Sequence, residues 1–469
     1  MDAPSQPSCP GCAARDRRIA ELEKRVAELV VRVEAVERAG KRQAAPFSKG
    51  KPKDKPKKPG RKSDEEHGTH GHRLPPPEDK IDETLQATLP NLCPKCDGPV
   101  EETHTDTLFQ EEIRHEPLRR KFTIHCGKCK KCGHACRGRH PFQTSDATGA
   151  ARCQIGPDAQ AAVVYFNKQA GLSHGKIADI FERCFGIHFS RGAAAQIVHR
   201  AAQRLEPAHQ EIALQLKNAS HITPDETGWR IGGHTVWLHA WVGDNGATLY
   251  RVDPRRSADA FENIIGLHWS GSMTHDGYST YDRFEDAIHQ QCLDHALRRA
   301  EKLLETQSAA NRRFPQQVID LLMQALEQRD RFEELTLAGQ MPTDAQRVFA
   351  FDDFVTRLLH LTARPRADET NDCFARHLSH HAAEWFCFLL DPTIPATNHR
   401  AEQALKTPIV NRKVWGGNRT DIGAQDQGAV SSVIETCKRT SQNTLQFISA
   451  AFRGFVASLF SSPVNATGR

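Results

Sequence analysis

At 469 residues the chain has room for two or three domains of about 100–200 residues each. It is 38% hydrophobic and 26% charged, and no apolar run approaches the roughly 18 residues a membrane span needs, which excludes an integral membrane protein. The net charge of +5 is unevenly placed: residues 41–62 hold ten Lys or Arg against Asp54 alone, a local +9, so the rest of the chain sums to −4.

The opening Met1-Asp2-Ala3-Pro4-Ser5 carries no secretory pattern, and several of the 14 cysteines sit in Cys-x-x-Cys pairs. In a chain of this size that pattern favours metal ligation in a reducing, cytoplasmic compartment over a disulfide framework. Cys9-Pro10-Gly11-Cys12 is half a site, which two copies of the chain could complete. Ile19, Leu22, Val26, Leu29, Val33 and Val36 then follow a 3,4 spacing with charged residues between them, the a/d seam of a short coiled coil within residues 1–40. The alternative is an amphipathic helix packed on its own body. Residues 41–80 are rich in Lys, Pro, Gly and His with almost nothing to bury, and read as a disordered basic tether. Lys55, Lys57 and Lys58 are its candidates for DNA phosphates, against a purely solubilising role.

Residues 81–142 carry two knuckles, Cys93-Pro94-Lys95-Cys96 and Cys129-Lys130-Lys131-Cys132, with glycine soon after the second cysteine of each. This predicts a zinc ribbon with structural Zn²⁺ on Cys93, Cys96, Cys129 and Cys132; Cys126 and Cys136 flank the second knuckle and leave the register open. Four thiolates leave no coordination position for water, so such a zinc holds the fold. Residues 143–215 read as helical. Ile177, Ile180 and Phe181, a break at Gly186 and Ser190 opening a further helix suit a helix-turn-helix, and ordinary helical packing explains them as well.

From His221 the pattern changes to strands. Ile222 to Trp229, Thr235–Val242 and Ala247–Val252 form a meander with a turn at Asn245-Gly246; a helix at 257–265, a strand at Gly271–His275 and a fifth at Gln290–Leu293 follow. Helices dominate about 297–390, where Phe314, Val318, Leu321, Leu322 and Ala325 form a helical stripe. Asn398 is placed to cap a helix that carries Glu402 and Lys406. Asp225 at the end of the first strand, Asp276 at the end of the fourth and Glu402 on the later helix converge if the sheet is ribonuclease-H-like, because its first and fourth strands are neighbours. Three such carboxylates repel unless divalent cations neutralise them, and two Mg²⁺ ions on oxygen ligands suit phosphodiester displacement. Glu226 points to the opposite sheet face. Asp282, Asp286 and Asp294 read as surface or capping groups, and Cys292 with His295 as structural. Lys406, Arg412, Lys413 and Arg419 are candidate DNA contacts.

The runs Pro224-Asp225-Glu226-Thr227-Gly228-Trp229, His275-Asp276-Gly277-Tyr278, Cys292-Leu293-Asp294-His295, Asn398 to Lys406 and Gly416-Gly417-Asn418-Arg419-Thr420 resemble, in this order, the insertion-sequence-66 family of transposases. Gly138-Arg139-His140-Pro141 and Leu172 to Ile177 match the same pattern. The resemblance implies a DDE transposase with Asp225, Asp276 and Glu402 as its metal-binding triad, using two Mg²⁺ or Mn²⁺ ions to cleave double-stranded DNA at element ends and join it to target DNA. It implies a multidomain α/β chain: a ribonuclease-H-like mixed-sheet core at 216–410 with a helical insertion, preceded by coiled coil, zinc ribbon and helical DNA-binding region, and followed by a C-terminal helical segment at 411–469. A homodimer or higher synaptic complex, accessory proteins of the same element and a nucleoid-associated location in the cytoplasm belong to the same expectation. Gln403 stands where family members commonly carry arginine, which bears on a DNA contact and not on the metal site. The competing reading is a catalytically decayed, zinc-dependent DNA-binding protein; an isolated nuclease on the same fold is a third.

Overall fold

The computed structural model describes residues 75–111, 113, 116–140, 142–143, 154–455 and 458–460, together with 18, 19, 21, 22 and 24–26. Of the heptad seam, Ile19, Leu22 and Val26 are described, and all three are helical and exposed. Leu29, Val33 and Val36 lie outside the described residues, as do Cys9, Cys12, Lys55, Lys57 and Lys58. No helix among the described residues is long and apolar enough to cross a membrane.

Regular structure is sparse among the described residues between 75 and 143: a short antiparallel hairpin, β1 (Cys126–Lys128) and β2 (Ala135–Arg137), stands around the second knuckle. Three helices follow, α1 (Pro157–Lys168), α2 (His174–Phe185) and α3 (Arg191–Lys217). Their boundaries obey local chemistry. The Ser173 and Ser190 side chains accept hydrogen bonds from the Lys176 and Ala193 backbone amides, and Gly186 ends α2 in the left-handed conformation at φ +60°. Ile177, Phe181, Ile197 and Val198 are buried in one core.

The sheet has five strands, β3 (His221–Ile231), β4 (His234–Gly243), β5 (Thr248–Asp253), β6 (Ser272–His275) and β7 (Ile288–Gln291), in the spatial order β5-β4-β3-β6-β7. The first three form an antiparallel meander, whereas β6 and β7 run parallel to β3. The first strand is longer than its sequence suggests. It pairs with β4 along its whole length, from Ile222 opposite Gly243 to Ile231 opposite His234, but with β6 only at His221 and Ile222. Beyond Ile222, β3 therefore parts from β6 and opens a fork in the sheet. The fifth strand ends at Gln291, and Leu293 already begins the next helix, α5 (Leu293–Thr306), after the short α4 (Asp259–Ile265) that precedes β6.

Alternation along β4 separates the two faces of the sheet. Val236, Leu238, Ala240 and Val242 face a core that contains Ala401, Ala404 and Leu405 of α10 (His399–Trp415), while Trp241 joins the core of α1–α3 on the other side. The exposed edge at β5 is closed by α11 (Asp421–Arg439), whose hydroxyls take the place of a sixth strand: the Thr248 and Tyr250 amides donate to Thr436 Oγ1 (3.1 Å) and Ser432 Oγ (2.8 Å). Gly428 lets the helix backbone approach that closely, since a Cβ there would sit 2.8 Å from the Tyr250 carbonyl oxygen. A short C-terminal helix, α12 (Thr444–Phe452), packs against α1.

Between β7 and α10 lies the helical insertion, in which α5 is joined by α6 (Arg313–Leu337), α7 (Asp344–Thr362), α8 (Glu369–His380) and α9 (Cys387–Leu390). Phe314, Val318, Leu321, Leu322 and Ala325 are all buried in its own core, as their spacing predicts. The insertion is thus a second packed unit whose ends return to the sheet beside the fork.

Helix propensity and packing make opposite predictions at Gly428. Alanine should stabilise an α-helix by about 1 kcal/mol, but here it collides with β5. Gly428→Ala is expected to lower the melting temperature, measured by thermal unfolding; a higher melting temperature would contradict the close docking of α11 on the sheet edge.

Candidate catalytic carboxylate site

Asp225 lies on β3 opposite Ala240, at the point where β3 has left β6. Its Oδ1 accepts a hydrogen bond from the Glu226 amide (2.8 Å). Burial pushes the Asp225 carboxyl up to about 7, and the charges of Glu226, Asp276 and Glu402 add to the rise, with only that amide opposing it. The three predicted acids therefore share one electrostatic field, although they come from a strand, a loop and a helix. Among the described residues, no group of three or more His, Cys, Asp or Glu side chains is drawn together closely enough to hold a metal ion.

Arginines that no sequence motif marks engage the second and third acids. Glu402, in the first turn of α10, accepts from Arg298 Nη2 of α5 at 2.6 Å, with His295 Nε2 at 3.8 Å. Arg256 Nη2 lies 3.6 Å from Asp276 Oδ2, while its Nε donates to Glu226 Oε1 at 2.6 Å. Tyr281 donates its hydroxyl hydrogen to the other Glu226 oxygen (2.7 Å), and the Arg256 guanidinium stacks 4.0 Å from the Tyr278 ring centre. Glu226 is thus the buried anchor of an arginine clamp, on the opposite side of β3 from Asp225. No spacing rule in the sequence links Arg256 or Arg298 to the acids they meet; only the fold does.

Asp276 follows directly on β6. Its Oδ1 accepts from the Tyr278 amide (3.0 Å) around Gly277, which sits at φ +83° where a Cβ would lie 2.8 Å from Gln291 Oε1. Behind this turn runs a chain of two histidines, His275 buried and His289 half-buried. The Gly277 amide donates to His275 Nδ1 (3.2 Å), which fixes the His275 proton on Nε2; that proton is donated to His289 Nδ1 (3.0 Å), and His289 Nε2 donates to the Phe284 carbonyl (3.0 Å). Burial, and then His289, push His275 down to about 3, so its ring stays neutral and holds this tautomer.

Asn398 does not cap α10 through its side chain. It is fully buried, its Oδ1 accepts from the Cys292 thiol (3.2 Å) and its amide donates to the same sulfur (3.3 Å), pinning the start of α5 to the start of α10. Burial pushes the Cys292 thiol up to about 11, and His295 turns to Glu402, so a thiolate–imidazole nucleophile does not form. Asp282 and Asp286 are exposed, Asp286 pairing with His268, and Asp294 sits in the first turn of α5.

The candidate DNA contacts divide. Lys406, Lys413 and Arg419 are exposed, whereas Arg412 is turned inward with Nη1 3.4 Å from Thr227 Oγ1 on β3; burial and neighbouring Arg230 depress its basicity. The Gly416–Thr420 run straps α10 to the end of β3. Asn418 receives the Trp229 indole hydrogen bond (2.8 Å), its backbone pairs with Arg230 and Gly232, and Gly417 at φ +99° passes 2.5 Å, at a would-be Cβ, from the Arg230 carbonyl.

Each cysteine knuckle is built as a tight turn. The Cys93 amide donates to the Gly98 carbonyl and the Cys129 amide to the His134 carbonyl, with Asp97 and Gly133 at positive φ. Backbone amides of Lys95 and Cys96 lower the Cys93 thiol, and those of Cys132 and Lys131 lower Cys129, which favours thiolates suited to a soft cation. Cys126 and Cys136 lie on the hairpin strands instead. Asp225, Asp276 and Glu402 are likewise hard oxygen donors of the kind that Mg²⁺ or Mn²⁺ takes.

A family model described as Transposase IS66 family matches residues 152–426. The chain belongs to the IS66 transposase family. An uncharacterized protein, y4hP, of Sinorhizobium fredii is 23% identical over 406 residues, covering 78% of this chain and 71% of that protein. The family match contains the five-stranded sheet, the insertion and all three acids of this IS66-family chain, and begins after the cysteine knuckles.

The charge crowding has a measurable cost. A carboxyl whose folded pKa is raised binds more protons folded than unfolded, so its contribution to stability is full below about pH 4 and is lost as pH rises towards about 7. Asp225→Asn is therefore expected to melt several degrees above wild type at pH 8 in EDTA, with the difference vanishing near pH 4. A lower melting temperature for the variant at pH 8 would show that the Asp225 charge is not under strain.

Proposed function

We propose that this chain is a DNA transposase of the DDE type, with Asp225, Asp276 and Glu402 as its metal-holding triad. The single observation that carries the reading is the family match over residues 152–426, which contains all three acids; the Asp225 carboxyl, raised first by burial and Glu226 and then by Asp276 and Glu402, accords with it. The strand order supports it: counted from β3, the five strands lie as third, second, first, fourth, fifth, which suits a ribonuclease-H-like core, with α10 carrying the third acid across the meander.

Two Mg²⁺ or Mn²⁺ ions, when bound, supply activation of the attacking oxygen and stabilisation of the leaving oxygen in phosphodiester displacement. The chain's own residues do the rest. Asp225, Asp276 and Glu402 offer the oxygen ligands; the Arg256–Glu226 clamp and the His275–His289 chain hold the Asp276 turn from its two sides; Arg298 orients Glu402. Exposed Lys406 and Lys413 lie seven residues apart on α10, two helical turns along one face, and with Arg419 are placed for the DNA backbone. A structural zinc on Cys93, Cys96, Cys129 and Cys132 and the three helices α1–α3 would bind element ends. The coiled coil would pair subunits so that both ends are processed together, and the lysine tether would add salt-sensitive affinity.

The intact acid set favours this enzyme over a decayed DNA-binding relic. The test is transposition in cells from the complete native locus, with a selectable marker between its ends and any accessory proteins supplied by the locus. Wild type should yield new insertions and Glu402→Ala none, with equal protein levels; equal insertion by both would remove Glu402 from the chemistry.

A further inference from the structure

A second basic surface lies far from the lysine tether in sequence. From Leu118 to His140 the chain carries Arg119, Arg120, Lys121, Lys128, Lys130, Lys131, Arg137 and Arg139 and not one Asp or Glu. Eight cations and no acid within so short a run make this stretch of chain strongly basic, a composition that attracts polyanions. The run folds around hairpin β1–β2 and bounds a groove of about 490 Å³, lined by Arg120, Lys121, Phe122, Arg139, His140 and Phe142 among others.

The lining is aromatic as well as basic. The Phe122, His140 and Phe142 rings follow one another at centre distances of 5.5 and 5.3 Å, and the Arg120 guanidinium lies 5.1 Å from the Phe142 ring centre. Phe122 is 37% and Phe142 59% exposed, so both rings are accessible from the groove. Phosphates alone would ask only for the cations. Paired bases in a duplex already stack on each other and present edges, not faces, so flat apolar rings between cations suit a strand whose bases are unpaired.

We propose that this groove is a binding site for an unpaired DNA strand end, with its phosphates on Arg120, Lys121 and Arg139 and a base stacked on the open face of Phe122 or Phe142. The proposal rests on the reading of the chain as a DNA-processing transposase, whose reaction exposes strand ends, and it assigns those ends a holding place outside the carboxylate site. Base stacking on an aromatic side chain is sequence-tolerant, so the groove would accept an end whatever its terminal base.

The experiment uses the full-length zinc-loaded protein and fluorescence anisotropy with a short blunt fluorescein-labelled duplex, the same duplex with a short unpaired 3′ overhang, and oligo-dT. Wild type should bind the overhang duplex roughly five- to a hundredfold more tightly than the blunt one, the range expected for one stacked base. Phe122→Leu with Phe142→Leu, which keeps apolar bulk, and Phe122→Ala with Phe142→Ala should both erase that preference and leave blunt-duplex affinity within about twofold, with unchanged circular dichroism. Arg120→Ala, Lys121→Ala and Arg139→Ala combined should weaken oligo-dT binding and flatten its salt dependence by a log–log slope of about 2, or roughly 0.7 for each phosphate no longer neutralised. Equal affinity of wild type for blunt and overhang DNA, or a preference that survives both aromatic variants, would overturn the groove while leaving the transposase reading intact. No binding to any of these DNAs would overturn both. Competition by polyglutamate as effective as that by oligo-dT would reduce the groove to a general anion surface and overturn the proposal.

Discussion

A half-buried acid at the fork of a sheet, raised by burial and by the charges of other carboxylates, is the constraint on which this structure turns. Asp225 sits where β3 has parted from β6, and the field of Glu226, Asp276 and Glu402 joins burial in pushing its carboxyl up to about 7. A stable fold would ordinarily avoid such a cluster, because a buried ion without a partner costs several kcal/mol. Here the cost is contained by distribution. Arg298 takes Glu402, Arg256 spans Glu226 and Asp276, and Tyr281 completes Glu226, which leaves Asp225 as the acid with no cation of its own among the ion pairs described. Strain concentrated on one functional group, with its neighbours compensated, is the pattern expected of a site prepared to receive positive charge.

Holding that fork open takes most of the surrounding fold. The long pairing of β3 with β4 fixes Asp225 on its side, and the two-residue pairing with β6 lets Asp276 diverge. The third acid follows the helical insertion in the chain; the insertion packs on its own core, and the Cys292–Asn398 pin ties its start to the start of α10. At the far end the Gly417-Asn418 strap ties α10 back to β3, and α11 seals the β5 edge with serine and threonine hydroxyls. Glycines at 277, 417 and 428 serve the same end by letting backbone pass where a Cβ would meet an oxygen at 2.8, 2.5 and 2.8 Å respectively.

Much of this is legible in the residues. Alternation and the Asn245-Gly246 turn mark the meander, the stripe from Phe314 to Ala325 marks the insertion core, and serines at 173 and 190 mark helix starts, because each signal is local and carries its own physical cause. The order of the motifs points to the family before any geometry is known. What the residues do not reveal are relations across the chain. Arg256 and Arg298 look like ordinary surface cations until the fold sets them on Glu226, Asp276 and Glu402. Asn398 carries a common capping residue type, yet burial and the nearby sulfur claim its side chain. Arg412, a DNA-contact candidate by sequence, is drawn inward because its helix lies flat on the meander. Asp225 sits within its strand instead of at the end, because strand length is set by the partner's register and not by the strand's own polarity.

The most direct test of the central claim is the stoichiometry of Mn²⁺ binding to the full-length, zinc-loaded protein, followed by electron paramagnetic resonance. Wild type should bind two Mn²⁺ ions that Mg²⁺ displaces, and the Asp225→Asn, Asp276→Asn double variant should lose both while keeping its fold. Unchanged Mn²⁺ binding by that variant would contradict the account, because the ions would then be held by groups other than the acids at the fork.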